Sequence, residues 1–118
     1  MRGKRIILTG AGGGIGSQLA GMLAHQDAAL CLTDNNAEAL QQCQESIAKQ
    51  NVHTVTADIC NPADRQLVVD EALAHLGGID ILINAAGINP FGVYAEQDAA
   101  LIQRTIEINT ISPMLLVR

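Results

Sequence analysis

Short continuous runs of apolar residues alternate along this chain with segments of helical period. The first run, residues 6–8, precedes the glycine-rich residues 9–16, which read Thr-Gly-Ala-Gly-Gly-Gly-Ile-Gly. Four apolar residues then recur at i, i+4, i+7 and i+8, namely Ile15, Leu19, Met22 and Leu23. A short apolar run favours a buried strand, and the second spacing favours an amphipathic helix. The pattern predicts a strand, a glycine turn and a helix that packs through these four side chains.

The same alternation continues along the chain. We predict strands over residues 28–33, 51–57 and 79–84, a helix over about 36–50, and a helix that Asn61-Pro62 opens and Gly77 ends. The predicted packing faces are Leu40, Cys43 and Ile47 on the first of these helices and Val69, Leu73 and Leu76 on the second. Residues 89–97 are predicted to form a loop with Phe91 and Tyr94 packed beneath it. Alternating strands and helices indicate an α/β fold with a parallel sheet.

From about residue 98 the helical period returns and defines two faces. One face carries Ile102, Ile106, Asn109 and Pro113. Because Pro113 has no backbone N–H for the carbonyl of Asn109, we expect a helix distortion centred on Asn109. The second face carries Leu101, Ile108 and Leu115. A helix that is apolar on two sides needs further chain or another subunit on the side away from the sheet.

Charge and hydropathy argue against nucleic acid and membranes as partners. The net charge is −5, and the seven Lys and Arg residues form no basic run that could neutralise a row of phosphates. No apolar run approaches the roughly 20 residues of a membrane span. The basic start also lacks the apolar stretch of a signal peptide. We therefore expect a cytoplasmic protein.

The cysteines and histidines show no ligand spacing. The cysteines are odd in number and contain no C-x-x-C pair, which predicts free thiols at Cys31, Cys43 and Cys60. The histidines are equally scattered, so we expect isolated side chains and no metal site from His25, His53 and His75.

Two features of the chain point to a dinucleotide. A glycine turn between a strand and a helix presents backbone N–H groups and the positive end of the helix dipole, which attract a pyrophosphate. Asp34 follows the second strand about 20 residues later, where a carboxylate accepts hydrogen bonds from the adenosine ribose and repels a 2′-phosphate. Asp34 therefore favours NAD over NADP. The alternatives are a glycine turn without a ligand and an Asp34 that only caps the next helix, although Asn35 with Glu38 is the better capping pair.

The motifs together resemble the short-chain dehydrogenase/reductase family over residues 4–118. The resemblance is carried by Thr9-Gly10, Gly14, Gly16, Asp34, Asp58, Asn84-Ala85-Ala86-Gly87 and Asn109. It implies a Rossmann-type doubly wound parallel sheet in three α/β/α layers, with residues 1–118 forming the NAD(P)-binding domain.

The resemblance also assigns roles to individual residues. The pyrophosphate side would be held by Gly10, Gly13, Gly14, Ile15 and Gly16, and the adenine by Asp58 and Ile59. Asn84, Ala85 and Gly87 would border the cofactor near the sheet. Asn109 would belong to the catalytic set and position the active-site lysine through a water.

The chain departs from the family in its catalytic residues. Members use a serine and a Tyr-x-x-x-Lys. Here the residue four positions after Tyr94 is Asp98 instead of a lysine, and Ser112 is too early to be the family serine. We therefore expect the amino-terminal, cofactor-binding half of an NAD(H)-dependent oxidoreductase acting on an alcohol or carbonyl substrate, with the fold cut after the fifth helix. The alternatives are a non-catalytic NAD-binding module that serves as a sensor or interaction domain and, with less support, a Rossmann-type domain that binds no nucleotide.

The last helix is also the expected site of self-association. A fold that ends there leaves the fourth strand as an open edge and one apolar helix face uncovered, and both recruit partners. The charged fraction of 16%, against about 25% in an average domain, also indicates surface left for a partner or for further chain. We expect a homo-oligomer formed through this helix.

Overall fold

The computed structural model describes residues 1–48, 51–88, 90 and 92–118. Its strands are β1 (Arg5–Thr9), β2 (Ala29–Asp34), β3 (Val52–Thr56) and β4 (Ile81–Asn84). Its helices are α1 (Gly14–His25), α2 (Ala37–Ile47), α3 (Pro62–Leu76), α4 (Ala99–Ile106) and α5 (Ser112–Val117), with a 3₁₀ turn at Tyr94–Glu96 and a π-helical turn at Glu107–Ile111. Asn89, Phe91 and the side chain of Tyr94, which the predicted loop included, lie outside the described residues.

The four strands form one parallel sheet in the order β3-β2-β1-β4. β1 is central because Ile6 pairs with Leu30 on one side and with Ile81 on the other. The strand order reverses at β1, which is the topological switch point where parallel sheets bind ligands. The predicted doubly wound parallel sheet is confirmed.

Side chains alternate between the two faces of the sheet and form two core layers. One layer packs beneath α1 and α2 and includes Ile6, Leu8, Leu30, Leu32 and Leu40. The other packs beneath α3 and includes Ile7, Cys31, Val55, Val68 and Ala72. Each fully buried Leu or Ile contributes about 1.5–3 kcal/mol relative to an exposed one. Helices on both faces confirm the three-layer arrangement.

A salt bridge fastens the start of β1 to the start of β4. The carboxylate of Asp80 accepts from the Arg5 backbone N–H (2.8 Å), from its Nε (3.0 Å) and from its Nη2 (2.8 Å). These side-chain and backbone hydrogen bonds hold the pKa of Asp80 well below its usual range. The pair thereby sets the register at the amino ends of two strands that are distant in sequence.

The predicted packing face of α1 is only partly right. Leu23 is buried, but Ile15 and Met22 are 80% and 62% exposed. The helix instead packs through Gly16, Ala20, Leu23 and Ala24. Small residues bring α1 close to the sheet, and this close approach turns the larger apolar side chains outward.

The face of α3 was also predicted only in part. Leu76 packs against the core beneath the helix, as predicted, whereas Leu73 is 48% exposed. The fully buried residues are Val68 and Ala72, one position before the predicted Val69 and Leu73, and the small Ala72 allows close packing on the sheet. The proposed start of the helix is right, since the Asn61 side chain accepts from the N–H of Ala63 (2.9 Å) and Pro62 is the first helical residue.

The expected distortion of the last helix is present. The N–H of Ser112 bonds the carbonyl of Glu107, the i→i−5 pattern of a π turn, and the turn centres on Asn109. The extra residue in this turn rotates the helix faces relative to a regular helix. Ile108 is buried, whereas Leu101 and Leu115 are 37% and 39% exposed, so the predicted second apolar face does not form as one stripe. On the predicted first face, Ile106 is 52% exposed.

Candidate functional site

A cleft of about 160 Å³ opens at the carboxyl ends of the strands. Most residues predicted to bind a cofactor line it, namely Gly10, Gly13, Asp34, Asp58, Ile59, Ala85 and Gly87. The remaining predicted residues do not line it; they are Gly14, Ile15, Gly16, Asn84 and Asn109. Its wall also contains Ile88, Arg104 and Ile108, which the sequence analysis did not assign to a site. The structure therefore brings the predicted strand ends together at one edge of the sheet.

Two glycines of the turn after β1 are required by close packing. Gly10 has φ +70°, and a Cβ there would lie 2.6 Å from the backbone N of Ala86. A Cβ on Gly16 would overlap the carbonyl oxygen of Gly10. These two glycines hold the turn against α1 and against the segment after β4. Gly14 differs from them, because a Cβ there would meet nothing within 4 Å.

The amino terminus of α1 lacks a side-chain cap of the kind that α2, α3 and α4 carry. Asn36, Asn61 and Asp98 cap α2, α3 and α4 with their side-chain oxygens. The corresponding residue of α1 is Gly13, and no acidic residue lies in its first turn. First-turn N–H groups without such an acceptor, together with the positive end of the dipole, favour a negatively charged group at this position.

The carboxylate of Asp34 joins the glycine turn to the start of α2. Its Oδ2 accepts from the N–H of Gly12 (2.9 Å) and its Oδ1 accepts from the N–H of Asn36 (2.9 Å). The cap of α2 is Asn36, whose side chain accepts from Ala39 (3.1 Å), so the predicted capping by Asn35 with Glu38 was one residue too early. Asp34 is half-buried at the rim of the cleft and presents a carboxylate beside the amino terminus of α1.

Asp58 and Arg104 form an ion pair in the cleft wall. Oδ1 of Asp58 accepts from the N–H of Cys60 (3.0 Å), and Oδ2 accepts from Nη2 of Arg104 (3.2 Å). Burial opposes ionisation of Asp58, but the Cys60 amide and the Arg104 guanidinium outweigh it and lower its pKa. Arg104 comes from α4, 46 residues along the chain, so spacing gave no signal for this pair.

Asn109 fastens the π turn to the segment after β4. Its Oδ1 accepts from the N–H of Ile88 (2.8 Å), and its Nδ2 donates to the carbonyl of Ile88 (2.7 Å). The same oxygen would lie 3.2 Å from a Cβ on Gly87. Asn109 therefore shapes the cleft from behind through the loop at residues 85–88.

The prediction of isolated histidines was wrong for two of the three. The rings of His53 and His75 stack with centroids 3.5 Å apart, and both face the carboxylate of Glu71. The fold brings β3 and α3 together, which sequence spacing alone did not indicate.

The prediction of free thiols is confirmed for Cys31, Cys43 and Cys60. Within the described ranges, no helix is long and apolar enough to cross a membrane.

The chain is similar to known proteins over nearly its whole length. The family model for short chain dehydrogenases matches residues 4–118. A hydroxysteroid 11-beta-dehydrogenase 1-like protein of Danio rerio is 34% identical over 117 residues, which cover 95% of this chain and 40% of the relative. The chain thus spans less than half the length of that relative.

Two solved structures from Brucella melitensis superpose closely on the chain. A short-chain dehydrogenase/reductase, named glucose/ribitol dehydrogenase, has a TM-score of 0.93 at 34% identity and is matched over 99% of this chain and 50% of its own. A 3-ketoacyl-(acyl-carrier-protein) reductase complexed with NADH has a TM-score of 0.91 at 27% identity, over 99% and 48% of the two chains. With the family model matched over residues 4–118, the chain belongs to the short-chain dehydrogenase/reductase family.

Proposed function

We propose that this chain is the NAD(H)-binding half of an oxidoreductase that transfers hydride between nicotinamide and an alcohol or carbonyl substrate. The observation that carries the proposal is the carboxylate of Asp34 at the end of β2, next to the uncapped amino terminus of α1. One similar structure was solved with NADH, which supports a nicotinamide cofactor. The cofactor would supply hydride to a carbonyl or accept it from an alcohol, and the residues of this chain would bind and orient the cofactor.

The groups around the cleft fit the parts of a dinucleotide. The first-turn amides at Gly14 and Ile15 suit the pyrophosphate, and these residues are exposed and accessible to it. The N–H of Gly13 donates to the carbonyl of Gly10 (3.0 Å), so Gly13 borders the pyrophosphate position with its backbone. The buried Ile59 offers an apolar contact for the adenine beside the polar Asp58. Asn84 ends the neighbouring strand β4, and Ala85 and Gly87 follow it. These three residues would border the other end of the cofactor.

Asp34 is the residue that sets the preference for NAD. Each of its oxygens accepts one backbone N–H and keeps a further lone pair for a ribose hydroxyl. A 2′-phosphate would place a second anion against this carboxylate. NADP sites place a cation near that phosphate, whereas Asp34 is followed here by Asn35 and Asn36.

The proposal is tested by calorimetric titration of the chain with NADH and with NADPH. We expect NADH to bind more tightly, and Asp34→Ser to weaken NADH binding at least about tenfold, since a hydrogen bond to a charged group contributes about 1.5–3 kcal/mol. The matched control is Asp98→Ser, because serine also caps a helix and α4 should be unaffected. Equal affinity for both cofactors, or an unchanged affinity in Asp34→Ser, would refute the assignment.

A non-catalytic NAD-binding module is the second candidate for the chain by itself. It is favoured by one observation, the lack of a Tyr-x-x-x-Lys within residues 1–118. In the family chemistry that tyrosine exchanges a proton with the substrate oxygen. Both candidates predict NADH binding, so turnover separates them. Oxidation of NADH by ketones and aldehydes at a rate above a protein-free blank would exclude the module.

We also propose that the chain self-associates through its last helical segment. The apolar side chains exposed there are Ile106, Ile111, Met114, Leu115 and Val117. β4 is an edge strand in the described sheet, with β1 as its neighbour. Sedimentation at tens of micromolar should show a species larger than the monomer, which Met114→Glu shifts toward monomer. A clean monomer in the unmodified chain would contradict the proposal.

A further inference from the structure

A second cluster of chemically active side chains lies away from the cleft, between β3 and α3. His53 is the second residue of β3, and Glu71 and His75 lie one turn apart near the end of α3. Because β3 and α3 run in opposite directions through a βα unit, this cluster sits toward the amino ends of the strands. The cleft lies at the carboxyl ends, so the two sites are separate.

The three side chains converge on a small volume. Oε2 of Glu71 lies 2.8 Å from Nε2 of His53 and 3.4 Å from Nε2 of His75. One ligand atom from each of the three residues lies within 4.8 Å of the other two. Ligand atoms of a tetrahedral zinc ion with bonds of about 2.0–2.1 Å lie roughly 3.3 Å apart. The spacing of the three atoms thus matches that of ligands around one ion. The rings of His53 and His75 stack with an interplanar angle of 17°, so they must tilt for both nitrogen lone pairs to point to that ion.

From this geometry we propose that His53, Glu71 and His75 bind a divalent transition-metal ion of the zinc type. Two imidazole nitrogens and one carboxylate oxygen are a donor set that zinc accepts, with remaining positions for water. The three side chains are partly exposed, so an ion and its waters can reach them. Magnesium and calcium are disfavoured because they prefer oxygen ligands.

The net charge of the chain favours a cation at this cluster, and the nearby Cys31 is not expected to be a further ligand. The chain carries a net charge of −5, which attracts cations in general. Cys31 pairs with His53 in the sheet register but is fully buried. A bound ion would join the edge strand β3 to α3.

Calorimetric titration of the 118-residue chain with zinc chloride tests the site. We expect one ion per chain. Since even outer-shell partners change metal affinity about 10–100-fold, Glu71→Gln and His75→Asn should each weaken binding at least about tenfold. The matched controls are His25→Asn, at the exposed end of α1, and Cys60→Ser, a partly exposed thiol; both should bind as the unmodified chain does.

Two measurements on the unmodified chain keep the test independent of variant folding. Cobalt(II) should give visible d–d bands without a thiolate charge-transfer band. Zinc should shift two of the three histidine imidazole signals in NMR spectra and leave that of His25, identified by its loss in His25→Asn. No saturable binding at millimolar zinc, unchanged affinity in Glu71→Gln, a thiolate band, or a shift confined to His25 would each overturn the proposal.

Discussion

Replacing Asn109 with alanine should loosen the loop behind the cleft by a predictable amount. The substitution removes both hydrogen bonds to Ile88, which measure 2.8 Å and 2.7 Å. A neutral hydrogen bond contributes about 0.5–1.5 kcal/mol, so the pair contributes about 1–3 kcal/mol. Asn109 is exposed, and water can replace part of this interaction. We therefore expect a loss of about 1–1.5 kcal/mol in the free energy of unfolding.

Urea unfolding followed by far-UV circular dichroism measures this loss. For a chain of this size, each 1 kcal/mol corresponds to a change in Tm of about 4 °C, which a thermal melt can check. Asn109→Asp keeps the acceptor for the Ile88 N–H but turns a charged oxygen toward the Ile88 carbonyl, so it should destabilise the fold at least as much. The control is Thr110→Ala, an exposed residue of the same π turn.

One outcome would refute this account of Asn109. If Asn109→Ala lies within about 0.5 kcal/mol of the unmodified chain, the range of ordinary surface substitutions, the two bonds do not hold the loop. The same variant should also weaken NADH binding, because residues 85–88 line the cleft.

Two further predictions concern the glycine turn and the salt bridge. Gly16→Ala should lower the free energy of unfolding by about 1–3 kcal/mol because its Cβ meets backbone. Gly21→Ala on the same helix, where nothing lies within 4 Å of a Cβ, should raise it by about 0.5–1 kcal/mol; similar effects in urea unfolding would contradict the packing argument. The pKa of Asp80 is lowered by Arg5, so this stabilisation is present above the unfolded pKa of about 3.9 and is lost as pH falls through the folded value. Asp80→Asn should therefore have a lower free energy of unfolding than the unmodified chain at neutral pH, and the difference between the two should be smaller near pH 3. A difference that does not change with pH would contradict a stabilising Arg5–Asp80 salt bridge.

Local signals in the sequence predicted the elements of the fold. The apolar run of β1, the glycines after it and the Asn61-Pro62 start of α3 each act over a few residues, so they can be read without tertiary information. The distortion at Asn109 could also be predicted from a local signal, because Pro113 has no N–H to donate to the carbonyl of Asn109.

Contacts that depend on how elements pack could not be predicted in this way. The exposed Ile15 and Met22 result from the close approach of α1 to the sheet, which small residues control. The Asp58–Arg104 pair spans 46 residues, and the His53–Glu71 contact spans 18 residues and joins a strand to a helix. The periodicity of apolar residues indicates which side of a helix or strand is apolar. It does not indicate which neighbouring element that side packs against or how close the two elements come.

The central position of β1 has a consequence for the order in which the chain folds. β1 can pair with β2 soon after both exist, but its pairing with β4 joins Ile6 to Ile81 and must close most of the chain into a loop. Long-range pairings of this kind are slow because the entropy of loop closure is lost before the contact forms. Gly10 packs against the segment that follows β4. The turn is therefore held in its final shape only after that late pairing, so a nascent chain shorter than about 85 residues contains the glycine motif without the completed cleft.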